Sequence, residues 1–138
     1  MVGYLFVDAS FCNKSKRSGL GIILRDVNFN NSKKKPGKII LKRSLIISAL
    51  SSEKAEFFAL LSGLNLAKSL GYTEIYVYSD YRTLITQLNQ KSDKGKISGR
   101  NNIIEQYKDS FKKIRFLYKT RKNNKSAHHQ ARLALTSI

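Results

Sequence analysis

Three acidic residues have neighbours that are unusual for a solvent-exposed carboxylate, which makes them the first candidates for chemistry. Asp8 follows the apolar residues 5–7, in a stretch whose aromatic and β-branched residues predict a strand. Glu56 is flanked by apolar residues one turn into a predicted helix, and Asp80 directly follows a second predicted strand. A carboxylate that enters a low-dielectric core needs a partner or a metal ion to remain charged. These acids are therefore candidate metal ligands.

Each acid also has an ordinary explanation. Asp8 is compatible with a turn that ends its strand, and Asp80 with a helix N-cap. Glu56 would interact well with a helix N-terminus, although Glu53 serves that purpose equally. The functional interpretation depends on the combination, because a strand, a helix and a strand end would pack at one edge of a sheet. Three carboxylates at one place repel unless cations separate them, and their hard oxygen atoms suit Mg²⁺ or Mn²⁺.

The net charge of the chain narrows the choice of partner. Lys and Arg number 26 and Asp and Glu 9, which leaves a formal charge of +17 at pH 7. Such a balance favours a polyanion, and nucleic acid is the usual one. The alternative, a lysine-rich solvated surface in a proteome rich in Lys and Asn, stays open on charge alone.

Length and hydropathy predict a single domain covering residues 1–138, monomeric and without a membrane segment. Its 138 residues are 41% hydrophobic, and the apolar runs have the length of strands. They fall well short of the roughly 20 residues that a bilayer requires. The N-terminus reaches a carboxylate too soon for a signal peptide. Cys12 is the only cysteine, so an internal disulfide is excluded and a reducing cytoplasm is expected.

The hydrophobic pattern predicts an α/β fold with a mixed sheet covered by helices on both faces. Strands are expected at residues 4–11, 19–26, 38–47, 74–79 and 114–120. The first three would form an antiparallel meander, with a loop at 28–37. Helices are expected at residues 51–70, 80–89, 102–113 and 126–138, with a basic loop at 91–101. In the first helix, Ala59, Gly63 and Ala67 would permit close packing on the sheet.

Four sequence blocks, in order, carry a resemblance that covers nearly the whole chain. They are Asp8-Ala9-Ser10 with Gly19 and Gly21; Ser51-Ser52-Glu53-Lys54-Ala55-Glu56-Phe57 with Ala59-Leu60 and Gly63-Leu64; Ser79-Asp80 with Leu84 and Gln87-Leu88; and Arg121, Asn124, Ala127 and His128 with Gln130-Ala131. Together they resemble the motifs of the type I ribonuclease H superfamily. The resemblance implies a ribonuclease H-like fold with a five-stranded mixed sheet.

Two positions depart from the family pattern. The fourth family carboxylate is replaced by His128, as in reverse-transcriptase-like relatives. The Asn pair before the catalytic Glu is replaced by Ser52 and Glu53, which weakens inherited contacts to RNA 2′-hydroxyls. The basic segment 91–100 is short, as in the archaeal and plant-type branch, and no His in a loop before the last helix offers a separate proton shuttle.

The resemblance implies a metal-dependent endoribonuclease that cuts the RNA strand of RNA–DNA hybrids with two divalent ions. Asp8 would bridge both Mg²⁺ or Mn²⁺ ions, Glu56 and Asp80 would hold one, and His128 would serve the other, with Mn²⁺ preferred. The expected nucleic-acid contacts fall into two groups. Residues that would read the 2′-hydroxyl are Ser10, Asn13 and Ser52. Residues expected at the nucleic-acid backbone are Lys94, Lys96, Arg100, Arg121 and Asn124.

Two other functions remain open at this point. The chain would be a non-catalytic or weakly active nucleic-acid-binding domain if His128 marked a decaying site. It would alternatively be a DNA-processing nuclease of the same fold. Retention of three clustered acids among only 9 argues against decay, since a binding module would gain from losing them.

Overall fold

The computed structural model describes residues 1–48, 51–89 and 99–136, which form five strands and four α-helices. The strands are β1 (Val2–Cys12), β2 (Arg17–Asn30), β3 (Lys33–Ser48), β4 (Glu74–Ser79) and β5 (Lys113–Tyr118). The helices are α1 (Ser52–Ser69), α2 (Arg82–Asn89), α3 (Gly99–Ser110) and α4 (Lys125–Thr136), with a 3₁₀ turn at Arg121–Asn123 before α4.

The strands form one mixed sheet in the order β3-β2-β1-β4-β5. The first three strands pair antiparallel, whereas β4 runs parallel to β1 and β5 runs parallel to β4. The predicted meander and the predicted five-stranded mixed sheet are both confirmed. The strand that carries Asp8 is the central one, so this carboxylate enters the sheet where water is least accessible.

Helix α1 covers one face of the sheet, where alternate strand residues form the main core. Leu5 and Val7 on β1 are fully buried beneath it. A Cβ atom at Gly63 would lie 3.0 Å from both of these side chains, so the glycine lets the helix approach closely. Ser51 caps α1 by accepting a hydrogen bond from the Lys54 amide, and Gly71, with φ +89, follows its end.

Helix α4 covers part of the opposite face, and two glycines determine how closely it approaches. A methyl group at Gly19 would overlap the carbonyl oxygen of Ala131, and one at Gly21 would overlap that of Ala127. Ala127, a residue of this helix, packs with Phe6 of β1 in a second, smaller cluster. The backbone of α4 therefore lies directly on β2, beside the strand that carries Asp8.

The loop expected at residues 28–37 was wrong. Strands β2 and β3 continue through most of it and turn at Asn31 and Ser32, whose φ values are +51 and +66. Two successive positive φ angles are typical of the tight turns that join antiparallel strands. Pro36 is tolerated because β3 is an edge strand. We call this paired extension of β2 and β3 the arm. Its polar composition does not predict strands, because its pairing depends on backbone hydrogen bonds.

Other boundaries differ by a few residues. Helix α2 begins two residues after Asp80, and α3 begins at Gly99, so residues 99–101 are helical rather than loop. Strand β5 ends at Tyr118, before the unpredicted 3₁₀ turn. Residues 90–98, which include most of the expected basic loop, and residues 137–138 lie outside the described part. In the described part of the chain, no helix is long and apolar enough to cross a membrane.

The glycine contact beneath α4 gives a stability prediction. Gly21→Ala places a methyl group against the Ala127 carbonyl, and backbone cannot move aside cheaply. We expect a loss of about 1–3 kcal/mol in the free energy of unfolding, measured by urea denaturation. Gly37→Ala is the control, because its nearest contact is the Asn28 Cβ at 3.0 Å on the exposed arm. Equal stability of Gly21→Ala and the wild type would contradict the close packing of α4.

Candidate active site

Parallel pairing of β1 with β4 brings Asp8 and Asp80 together. The register pairs Phe6 with Tyr78, and each aspartate lies two residues further along its own strand direction. Asp8 remains inside the sheet, opposite Gly21 of β2, whereas Asp80 follows the end of β4. The sequence therefore delivers two carboxylates to one edge because the two strands share a direction and a register.

Glu56 reaches the same edge from helix α1. It is 7% exposed, and its Oε1 accepts a hydrogen bond from the Ala9 amide at 3.2 Å. That bond links the first turns of α1 to the strand residue after Asp8. One carboxylate oxygen from each of Asp8, Glu56 and Asp80 can be chosen so that all three lie within 4.8 Å of one another.

The buried cluster disfavours the charged forms of Glu56 and Asp80. Burial, followed by the charges of Asp8 and Asp80, raises the pKa of Glu56 to about 9. Burial, followed by the charge of Asp8, also raises the pKa of Asp80, and the guanidinium of Arg121 offsets part of this. In the metal-free protein Glu56 therefore retains a proton that an ordinary carboxyl group would have lost at neutral pH.

Two buried carboxylate oxygens of the cluster are available to bind a divalent cation. Asp8 Oδ1 and Glu56 Oε2 are buried, and neither has a hydrogen-bond partner among the described residues. Buried polar atoms normally find a partner, so two unpaired oxygens at one place call for an explanation. A hard cation supplies it, because it would accept lone pairs from these oxygens and replace the proton on Glu56.

His128 of helix α4 and Asn124, the residue directly before that helix, lie at the back of the cluster. Nδ1 of His128 lies 2.7 Å from Asp8 Oδ2, in hydrogen-bond contact. The buried Asn124 donates from Nδ2 to the Val7 carbonyl oxygen at 3.0 Å. The two contacts attach α4 to consecutive residues of β1, so they fix where the Asp8 carboxylate points. The structure gives Asn124 this positioning contact, and its predicted nucleic-acid contact stays a prediction.

Arg121 lies at the rim of the cluster. Its Nε is 3.5 Å from Asp80 Oδ2, and its side chain is 69% exposed. The long, solvated ion pair leaves most of the guanidinium free to face a ligand. Its predicted contact with nucleic acid is therefore compatible with its position.

The other predicted contact residues are dispersed. Ser10 is half-buried on β1, Ser52 is exposed at the start of α1, and Asn13 is exposed and accepts a hydrogen bond from Lys16 Nζ at 2.7 Å. Lys94 and Lys96 lie outside the described residues, and so does the side chain of Arg100. Their roles stay predictions.

Sequence reasoning missed two features of the site. The Ala9 amide that holds Glu56 is a backbone group, so its residue type carries no signal. The function of Gly21 in admitting α4 was also missed, although a glycine within a predicted strand indicates close approach of another backbone.

Comparison with known proteins identifies the family of the chain. Residues 6–134 match the family model described as reverse transcriptase-like. The chain therefore belongs to this family, within the type I ribonuclease H superfamily. The comparison with curated proteins finds no match.

Solved structures share the fold at low sequence identity. RNase H1 from the halophilic archaeon Halobacterium salinarum NRC-1 is 17% identical with a TM-score of 0.80, and 100% of each chain is covered. The N-terminal RNase H domain of Rv2228c from Mycobacterium tuberculosis is 18% identical with a TM-score of 0.78, covering 99% of this chain and 94% of that one. LC11-RNase H1, solved with an RNA/DNA hybrid, is 17% identical with a TM-score of 0.77, covering 98% and 97%.

The raised pKa of Glu56 makes a pH prediction for the metal-free protein. Folded Glu56 keeps its proton up to about pH 9, whereas the unfolded chain releases it near 4.5. Between these values the folded state binds more protons, so its stability falls as pH rises, by up to about 1.4 kcal/mol per pH unit. Thermal melting in chelator from pH 5 to 9 measures this. Glu56→Gln should flatten the slope and Glu105→Gln should not; a wild-type stability that rises with pH would contradict it.

Proposed function

We propose that this protein is a metal-dependent endoribonuclease that hydrolyses the RNA strand of RNA–DNA hybrids. The observation that carries the proposal is the convergence of Asp8, Glu56 and Asp80, with two buried oxygens unpaired, in a chain of charge +17. Three acids gathered in so basic a protein have a purpose that simple solvation does not explain. The family membership and the hybrid-bound structural neighbour support the substrate class.

Asp8, Glu56 and Asp80 would hold the divalent cations, either Mg²⁺ or Mn²⁺. Such ions, when bound, stabilise the charge that develops at phosphorus and lower the pKa of attacking water. Asp8 is the central group, because its charge raises the pKa of both Glu56 and Asp80 and its carboxylate contacts His128. The protein's own contribution is to hold these oxygens in place before substrate arrives, through the Ala9 amide and α4.

The substrate would be held by cations at the rim of the cluster. Arg121 is exposed beside Asp80 and is placed to contact a phosphate near the site. Contacts of this kind are independent of base sequence and weaken with salt. The proposed roles of Ser10 and Ser52 in reading the 2′-hydroxyl rest on their positions on β1 and α1, near Asp8 and Glu56 in the sequence.

Loss of the central carboxylate should abolish cleavage without unfolding the protein. We expect Asp8→Asn to reduce cleavage of a labelled RNA–DNA hybrid by at least about 10²–10³-fold, since one preorganised charge is removed. The measurement compares hybrid, duplex DNA and duplex RNA in Mg²⁺ and in Mn²⁺. Asp109→Asn, an exposed acid on α3, is the matched control and should cut normally.

The melting temperature of Asp8→Asn separates a chemical loss from a structural one. The variant should fold at least as stably as wild type in chelator, because one charge leaves a repulsive buried cluster. Binding of the hybrid without cleavage by wild type would replace the proposal with a non-catalytic nucleic-acid-binding domain. Cleavage of duplex DNA in preference to hybrid would replace it with a DNA-processing nuclease.

His128 should control which metal supports the reaction. A neutral imidazole binds Mn²⁺ readily and Mg²⁺ less well, so we expect faster cleavage in Mn²⁺ than in Mg²⁺. His128→Asp, which introduces the family's carboxylate, should raise the Mg²⁺ rate relative to the Mn²⁺ rate. His129→Ala, on an exposed neighbour in α4, is the control. Equal wild-type rates in both metals, with no effect of His128→Ala, would remove His128 from the site.

A further inference from the structure

One part of the sheet face beside α4 carries no helix in the described structure. Helix α4 lies over β2 and its neighbours, whereas Ile114 and Phe116 on β5 belong to the main core on the other face, where α2 contacts β5. The alternate β5 residues therefore face the uncovered side, where Arg115 and Leu117 are exposed. We call this surface, formed by β4 and β5 and bordered by β1, on which α4 packs, the open face.

The open face is built on a stack of four aromatic rings. Phe6 and Tyr78 stack with ring centres 4.8 Å apart, and Tyr4 and Tyr76 stack at 5.1 Å. A third stacked pair, Tyr4 with Tyr78 at 6.3 Å, joins the two into one ladder. Tyr4 and Phe6 are the buried members of this ladder, whereas Tyr76 and Tyr78 are half-buried, so the β4 pair is the part that a ligand can reach.

Lysine ammonium groups lie at both ends of the ladder. Lys119 Nζ is 4.8 Å from the ring centre of Tyr78 and 5.5 Å from that of Phe6. At the other end, Lys113 Nζ is 5.5 Å from the Tyr76 ring centre. Contact with an aromatic ring holds a cation in place without cancelling its charge.

The charge of the open face is almost entirely positive in the described residues. Glu74 is held between Lys34 at 2.9 Å and Lys113 at 3.6 Å. Arg115 and Lys119 form no ion pair with any described residue. The face therefore has fixed cations, hydroxyl donors and unused charge, a combination that suits a chain of phosphates.

The open face begins at the candidate active site. Phe6 and Asp8 are two residues apart on β1, so they lie on the same side of the sheet. Tyr78 lies two residues before Asp80, which follows the end of β4. A strand of nucleic acid that leaves the cluster on the α4 side would thus run directly onto the ladder.

We propose that the open face binds a single, unpaired nucleic-acid strand through its phosphates. The face is about two strand spacings wide, roughly 10 Å, with α4 as a wall on one side. That width suits one extended strand beside the helix, and the half-buried Tyr76 and Tyr78 would add ring edges and hydroxyl groups to the cations. The binding is therefore independent of base sequence. An apolar protein partner suits it poorly, because Arg115 and Lys119 would lose water without gaining a counter-charge.

The test uses the full chain in chelator, with a fluorescein-labelled oligothymidylate of 20 nucleotides and fluorescence anisotropy. Lys113→Glu/Arg115→Glu should weaken binding at least tenfold relative to the matched pair Lys38→Glu/Lys68→Glu, which changes the net charge equally at exposed positions elsewhere. If two phosphate contacts are lost, the slope of log affinity against log salt should flatten by about 1.4. Cross-linking with a bromouracil-containing strand should label peptides from β4 and β5.

Several results would overturn the proposal. Equal losses in both double variants would show only a general effect of charge, and cross-links confined to α1 would place the strand elsewhere. A wild-type dimer that the β5 variant dissociates, with unchanged affinity for the strand, would assign the face to self-association. If Lys113→Glu disturbs folding through Glu74, Arg115→Glu alone repeats the test. No cleavage is measured, so an inactive wild-type enzyme would refute the proposed function and leave this result standing.

Discussion

The burial of the Asp8 carboxylate in the central strand is the constraint on which the rest of the site depends. Its exposure is 0%, and one oxygen has no partner among the described residues. A charge placed there is costly unless the surroundings supply compensation. The chain supplies it in part through His128 on α4. That contact requires a helix lying directly on the sheet, which in turn requires glycine at position 21 of β2.

In the metal-free protein, no other described residue compensates the buried charge of Asp8, and this indicates what the cluster is for. Glu56 and Asp80 do not relieve Asp8, because the charged form of each would add negative charge beside it and the pKa of each is raised. Stability alone would favour apolar residues at these positions. A cluster that lowers the stability of the metal-free fold, yet is held in place by the Ala9 amide and by α4, is best explained by a cation. The same residues therefore favour binding of a cation and lower the stability of the metal-free fold.

Sequence reasoning identified the order of elements and the three acids, because both leave signals in residue type. Asp8 after an apolar run is unusual in any strand, and helical periodicity distinguishes α1 clearly from the strands. The arm formed by β2 and β3 was missed because its polar residues pair through backbone groups alone. The Ala9 contact was missed for the same reason, and the aromatic ladder because its rings come from two strands that are distant in sequence. Tertiary pairing, not local propensity, determines all three.

The distribution of charge connects the acidic cluster with the open face. A protein of charge +17 attracts polyanions over its whole surface, so its excess of lysine does not choose a place for them. The choice of place comes from cations that have a partner near the carboxylates. Arg121 forms a long ion pair with Asp80, and Lys119 lies against the rings of Phe6 and Tyr78. Arg121 contacts Asp80 itself, and the rings that Lys119 contacts lie two residues before Asp8 and Asp80, so a phosphate chain drawn to both cations would pass close to the acids, where a bound metal ion would neutralise the repulsion.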